Sequence, residues 1–178
     1  SPSRGLGDVY KRQIQNRMRA TIELAIGGWA FAILLGIPTG VLAAVKRGTF
    51  WDYIARGVAI IGQGAPPFVI GLLLIVIFAV WLQDTPFELP AAGRPPQFNI
   101  KTYILPCIAL GWPAAAGLMR LTRSAMLEVL DSEFVKLARA KGVGWNKAIY
   151  KHALKNALIT PLTSALLLFS GWLNGALV

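Results

Sequence analysis

Residues 57–82 read GVAIIGQGAPPFVIGLLLIVIFAVWL, 26 positions without a charged side chain. An α-helix rises about 1.5 Å per residue, so about 20 apolar residues cross the hydrocarbon core of a bilayer. This stretch is long enough to do so. Upstream of it, TIELAIGGWAFAILLGIPTGVLAAV (21–45) carries one charge, Glu23, near its start. Downstream, YILPCIALGWPAAAGLM (103–119) sits at the short limit for a crossing, and PLTSALLLFSGWLNGALV (161–178) is a fourth apolar run. Polar segments at 46–56, 83–101 and 120–159 separate the four. Of the 178 residues 55% are hydrophobic and 15% charged, whereas a soluble domain is about 25% charged. The expected fold class is all-α, a polytopic transmembrane helical bundle. A soluble helical bundle is the rival, and both the charge content and the run lengths weigh against it.

Net charge is +10. In a soluble protein that would point to nucleic acid; in a membrane protein, Lys and Arg gather in cytoplasmic loops. No nucleic acid is therefore expected as a partner. The segment 46–56 holds Lys46, Arg47 and Arg56, and 120–159 holds eight basic residues, while 83–101 sets Arg94 and Lys101 against Asp84 and Glu88. The first and last of these segments are expected to face the cytoplasm, and 83–101 to face outward. Span 21–45 then begins outside, which conflicts with Arg4, Lys11, Arg12, Arg17 and Arg19 before it. SPSRGLGDVYKRQ (1–13) has no apolar period, no signal-peptide core and no cleavage pattern. It resembles a translated sequencing adaptor and is expected to be a non-native tail. The stop at Val178, within or at the end of an apolar run, suggests truncation there too.

The densest charge lies in KLARAKGVGWNKAIYKHALKNAL (136–158), with six Lys or Arg, one His and no carboxylate. Residues 131–142 read as a short helix that Asp131 or Ser132 can cap, with Glu133 complementing the dipole. Phe134, Leu137, Ala138 and Lys141 would share one face. Gly142 and Gly144 would break the helix, since glycine is costly inside a helix and suits a left-handed turn. A second helix over about 145–158 would set Trp145, Ala148, Ile149 and Ala153 on an apolar face and Lys147, Lys151 and Lys155 on a cationic one. Such a helix–turn–helix could lie on anionic lipid heads, read DNA, or project its turn into another protein. The close flanking spans disfavour DNA, and lipid contact suits some of the lysines under any reading.

The segment EFVKLARAKGVGWNKAIYKHALKNALI (133–159) resembles the cytoplasmic signature loop of ABC-transporter permease subunits, in particular the dipeptide and oligopeptide type, with ARAKG followed by HALKNAL. The resemblance extends through RLTRSAMLEVLDSEF (120–134), YILPCIALG (103–111), IPTGVLAAVKRG (37–48) and TIELA (21–25). It covers nearly everything from about 17 onward and makes 14–178 a partial permease domain of the type I importer fold. It implies that the loop docks on a cytoplasmic ATPase. Ala138, Ala140 and Gly142 would then sit at the tight turn, and Arg139 and Lys141 would offer polar contacts. It further implies a second permease subunit, two ATPase subunits that bind ATP and Mg, an external solute-binding protein, and a multi-pass place in a bacterial or archaeal plasma membrane. Two departures stand out. The general pattern has Glu-Ala-Ala where this chain has Lys136, Leu137 and Ala138, a difference of subtype, and the expected proline falls one place late, at Pro161.

Spans one to three hold no ionisable group near mid-membrane, which ion-coupled carriers use for binding and relay. That favours a pathway powered from elsewhere over a secondary carrier or channel, the alternative reading, or over a membrane scaffold. Pro66 and Pro67 remove two backbone donors and should kink their span, and Gln63 offers an amide there; these three are candidates for pore lining or gating. Gly36 and Gly40 form a GxxxG pair suited to close helix packing. Cys107 reads as a small packing residue, His152 as a surface residue, and Trp51, Trp81, Tyr103 and Trp112 as interfacial aromatics. No nucleophile–base pair, metal cluster or phosphate-binding loop is present in the sequence. The chain is therefore expected to be no enzyme and to hold no cofactor of its own.

Overall fold

The computed structural model describes residues 2–90 and 100–177, with side chains described over 18–90 and 100–174. The tail 1–13 thus lies outside the residues described to side-chain level. The elements are α1 (Pro2–Val45), α2 (Phe50–Gly64), α3 (Pro67–Ile75) continuing as a π-helical turn (Val76–Trp81), α4 (Ile100–Leu130), α5 (Glu133–Ala140), α6 (Trp145–Lys147) leading into a π-helical turn (Ala148–Ala153), α7 (Leu154–Ala157) and α8 (Ile159–Leu177). No strand occurs among the described residues, so the chain is all-α. Two helices, Met18–Val45 and Ile100–Leu130, are long and apolar enough to cross a membrane, or up to four if each bent pair is one span.

α1 and α4 form the spine and run parallel. The Tyr103 hydroxyl donates to Glu23 Oε2 at 2.8 Å. One turn on, Gly27 abuts the Cys107 side chain. At the far end Arg47 Nη1 reaches Asp131 Oδ2 at 3.4 Å. Between these points a Cβ on Gly36 would lie 2.6 Å from the Ala115 carbonyl oxygen, and one on Gly40 would lie 2.6 Å from that of Met119. The GxxxG pair therefore brings α1 onto the backbone of α4, as small residues do where lipid removes the hydrophobic drive for helix association. Pro38 lies inside the continuous α1, and the neighbouring Thr39 hydroxyl donates to the Leu35 and Gly36 carbonyls at 2.5 and 3.2 Å.

Two parallel helices need a return path between them, and α2 with α3 supplies it. Asp52 meets Arg123, a Cβ on Gly62 would approach the Trp112 indole at 2.5 Å, and Gly71 faces Ala109. Residue numbers rise along α2 as they fall along α4, so α2 runs antiparallel to α4, and α3 leaves that line at the break after Gly64. α8 packs against both α1 and α4: Ala165 is buried with Ala32, Ala115 and Leu118, the Trp29 indole N–H donates to the Ala165 carbonyl at 2.8 Å, and the Trp29 and Phe169 rings lie 5.3 Å apart.

Three expectations change. Span 57–82 is not one kinked helix but two, bent by 105°. α2 ends at Gly64, Ala65 and Pro66 are extended, and Pro67 starts α3 at its first position, where a missing N–H costs nothing. The helix begun near 103 does not end at 119 but continues to Leu130, because falling hydropathy marks where the chain leaves an apolar layer, not where helix propensity ends. The last helix begins at Ile159, two residues before the apolar run read from 161, with the buried Pro161 in its first turn.

Candidate functional site

The segment α5–α7 forms a helix–turn–helix at the end of the bundle where α1 and α4 stop. Its floor is a cluster of Ala44, Met126, Val135, Ala148, Ile149, Ala153 and Ala157. Most of its weight thus comes from α4 below and the second helix above. Ser132 starts α5 in an extended conformation but makes no side-chain cap. Its hydroxyl donates back to the Val129 carbonyl at 2.6 Å, while Asp131 is engaged with Arg47; the expected capping role is therefore taken by neither residue.

The turn after α5 follows from one glycine. Gly142 has φ +86°, a left-handed conformation that costs other L-residues about 1–2 kcal/mol. Its N–H donates to the Arg139 carbonyl at 2.9 Å and that of Val143 to the Ala138 carbonyl at 3.2 Å. These are the two bonds of a Schellman motif, and they satisfy carbonyls that the helix end would leave open. A Cβ at Gly142 or Gly144 would meet nothing within 4 Å, so the turn stands clear of the rest of the chain. Arg139 lies over the Trp145 ring at 4.8 Å and spans the turn.

Of the sequence-predicted turn residues, Arg139, Ala140, Lys141 and Gly142 are exposed, and Ala138 is buried beneath them. The inward face of α5 is Val135 and Ala138; Phe134 and Leu137, expected on an apolar face with Ala138, are 51% and 57% exposed. Both sets obey helical spacing over a helix of only eight residues, so periodicity could not separate them. On the second helix Ala148, Ile149 and Ala153 are buried as expected, while Trp145 turns outward to Arg139. Lys147, Lys151 and Lys155 are exposed. The outward surface thus joins apolar side chains (Phe134, Leu137, Trp145) to cations (Arg139, Lys141), a combination suited to a protein groove with an acidic rim. His152 is half-buried against Phe134, ring centroids 5.7 Å apart.

Gln63, Pro66 and Pro67 gather at the break between α2 and α3, and all three are exposed. The Gln63 amide lies over Gly117 of α4, 3.2 Å from where a Cβ would stand. Sequence reading missed a buried ion cluster. Asp52, 1% exposed, accepts from Arg123 Nε at 2.8 Å and Arg123 Nη2 at 3.0 Å, and from the Gly48 N–H at 3.0 Å. Arg56 Nε is 3.4 Å away without hydrogen-bond geometry. The one available signal was a lone acid among the basic residues of 46–56. Among the described residues no group of His, Cys, Asp or Glu could hold a metal ion.

Residues 36–178 match the family described as binding-protein-dependent transport system inner membrane component. The oligopeptide transport system permease protein OppB of Salmonella typhimurium is 38% identical over 159 residues, covering 88% of this chain and 49% of that protein. Its Escherichia coli K12 counterpart is 40% identical, covering 88% and 50%. The dipeptide transport system permease protein DppB of Alkalihalophilus pseudofirmus is 39% identical, covering 90% and 55%. The chain spans about half the length of the curated relatives it matches. With a family match over residues 36–178 and a bundle of apolar helices, the chain belongs to the inner membrane components of binding-protein-dependent transport systems.

Proposed function

We propose that this chain is part of a permease subunit of an ATP-driven importer that passes short peptides. The observation that carries the reading is the turn after α5, held by a Schellman motif on a packed floor, with Arg139, Ala140, Lys141 and Gly142 exposed and open space around Gly142. Such a turn is built to be gripped: its backbone is fixed before any partner arrives, so little ordering entropy is lost on docking. The partner would be a cytoplasmic ATPase subunit, one of a pair that binds ATP and Mg, and this chain would contribute no catalytic group. A second permease subunit, an external solute-binding protein and membrane lipids complete the assembly. The basic end of the bundle would face the cytoplasm, with the α2–α3 break and Gln63 beside the translocation path. The peptide substrate is supported by the names of the relatives.

The test is a series at Gly142 in the complete protein, read as peptide uptake with membrane insertion measured in parallel. Backbone strain alone makes Gly142→Ala and Gly142→Trp equally harmful, because a Cβ there meets nothing, and leaves Gly142→Asn milder, since Asn tolerates the left-handed region. Docking predicts instead that Trp abolishes uptake while Ala reduces it modestly. Equal uptake by the Ala and Trp variants would sink the docking reading.

A further inference from the structure

The buried cluster around Asp52 lies outside the docking turn, yet it sits where the turn's support meets the rest of the bundle. We infer that Asp52 and Arg123 are positioning residues that carry movement of the α5–α7 segment to the α2–α3 break, an inference that rests on the function proposed above.

Three features of the geometry lead there. First, α4 is gripped from both sides at adjacent residues: Thr122 packs on α1 at Gly40, where an added Cβ would lie 2.7 Å from the Thr122 Cβ, and Arg123 holds Asp52 of α2 through two hydrogen bonds. Second, the same helix continues without a break to Leu130, and Met126, fully buried, is part of the floor beneath α5 and α7. Arg123 and Leu130 are seven residues apart, about 10 Å of uninterrupted helix. Third, α2 rests on α4 along one side only. Small contacts of Ala59 and Gly62 hold it there, while an apolar cleft of about 370 Å³ opens between α1, α2 and α4 beside Trp51, Ile54 and Val58. The ion pair is thus the polar anchor of α2 at this end, and α2 runs from it directly to the break at Ala65–Pro66. The Gly48 N–H adds the α1–α2 turn to the same carboxylate. The site holds two guanidinium groups against one carboxylate, so removal of Asp52 leaves like charges facing each other.

A merely structural pair and a transmitting pair differ in one measurable ratio, peptide moved per ATP hydrolysed by the assembled complex. The experiment reconstitutes the complete permease with its partners and compares wild type, Asp52→Asn, Arg123→Gln, Arg123→Lys and the double apolar variant Asp52→Leu/Arg123→Met. Buried ion pairs replaced by apolar side chains of similar volume often keep their fold, so the double variant guards against simple misfolding. The expected result is that Asp52→Asn, Arg123→Gln and the double variant assemble and hydrolyse ATP, with peptide per ATP lowered at least tenfold, and that Arg123→Lys recovers part of it. An unchanged ratio in the assembled variants overturns the inference. Failure of every variant to assemble, Arg123→Lys included, assigns the pair to folding alone and overturns it equally. If wild type itself moves no peptide on ATP, the function reading has failed, and this is seen before any variant is compared.

Discussion

Gly40→Ala offers the sharpest test of the α1–α4 spine. The added methyl would stand 2.6 Å from the Met119 carbonyl oxygen, 2.7 Å from the Thr122 Cβ and 3.2 Å from the Arg123 backbone nitrogen. Ordinary contact needs about 3.5–4 Å between carbons, and none of these neighbours is the free end of a flexible side chain. The helices must therefore part by roughly 1 Å, at the price of overpacking, typically about 1–3 kcal/mol. Alanine returns up to about 1 kcal/mol through its better helix propensity, so a net loss of up to about 2 kcal/mol is expected, and a loss of about 1–3 kcal/mol relative to an unhindered Gly→Ala change. Gly36 lies one turn earlier, with its Cβ position 2.6 Å from the Ala115 carbonyl oxygen. Once one methyl has parted the helices the second finds room, so Gly36→Ala/Gly40→Ala should cost less than the sum of the singles. Gly57→Ala is the control, since a Cβ there meets nothing within 4 Å, and it should be neutral or slightly stabilising. The assay is thermal unfolding of the purified protein in mild detergent, followed by tryptophan fluorescence. Equal melting of Gly40→Ala and Gly57→Ala would refute the close parallel packing of α1 on α4.

Trp29→Phe keeps a ring against Phe169 but removes the indole donor to the Ala165 carbonyl, and should lower stability by about 1 kcal/mol in the same melting assay. Replacing Pro66 and Pro67 together by alanine should let α2 run on into α3; spin labels at the exposed Ile61 and Leu73 would then move apart towards about 18 Å, the span of a straight helix, and an unchanged distance would show that tertiary packing, not proline, makes the bend. Neutralising Lys147, Lys151 and Lys155 together removes contacts worth about 1 kcal/mol each on an anionic surface. That change should lower uptake in anionic vesicles, less severely than Gly142→Trp and with little effect in neutral ones; a complete loss of transport with Gly142→Trp silent would reverse the roles of turn and stripe.

The elements that could be read from the sequence are those whose cause is local. Uncharged runs have one physical meaning over 20 residues, and Gly142 stops α5 because its own backbone reaches a region other residues avoid. What stayed hidden depends on long-range contact. Asp52 and Arg123 are 71 residues apart, and nothing near either names the other. The 105° bend between α2 and α3 reads in the sequence only as a kink, because proline states that the ladder is broken, not how far the halves swing. α5 is so short that two faces fit its pattern, and only the floor of Met126 and Ile149 decides that Val135 goes in and Phe134 and Leu137 stay out.

The turn after α5 is proposed to enter an ATPase subunit. The most direct measurement is site-directed cross-linking in the complete protein in native membranes. With Cys107 and any cysteine in the remainder of the complete protein changed to serine, a new cysteine is placed at Lys141 on the turn or at Lys155 on the second helix, both exposed. The account predicts that Lys141→Cys joins to the ATPase subunit and that the yield changes on adding ATP, while Lys155→Cys does not join. A cross-link from Lys155→Cys with none from Lys141→Cys would contradict it.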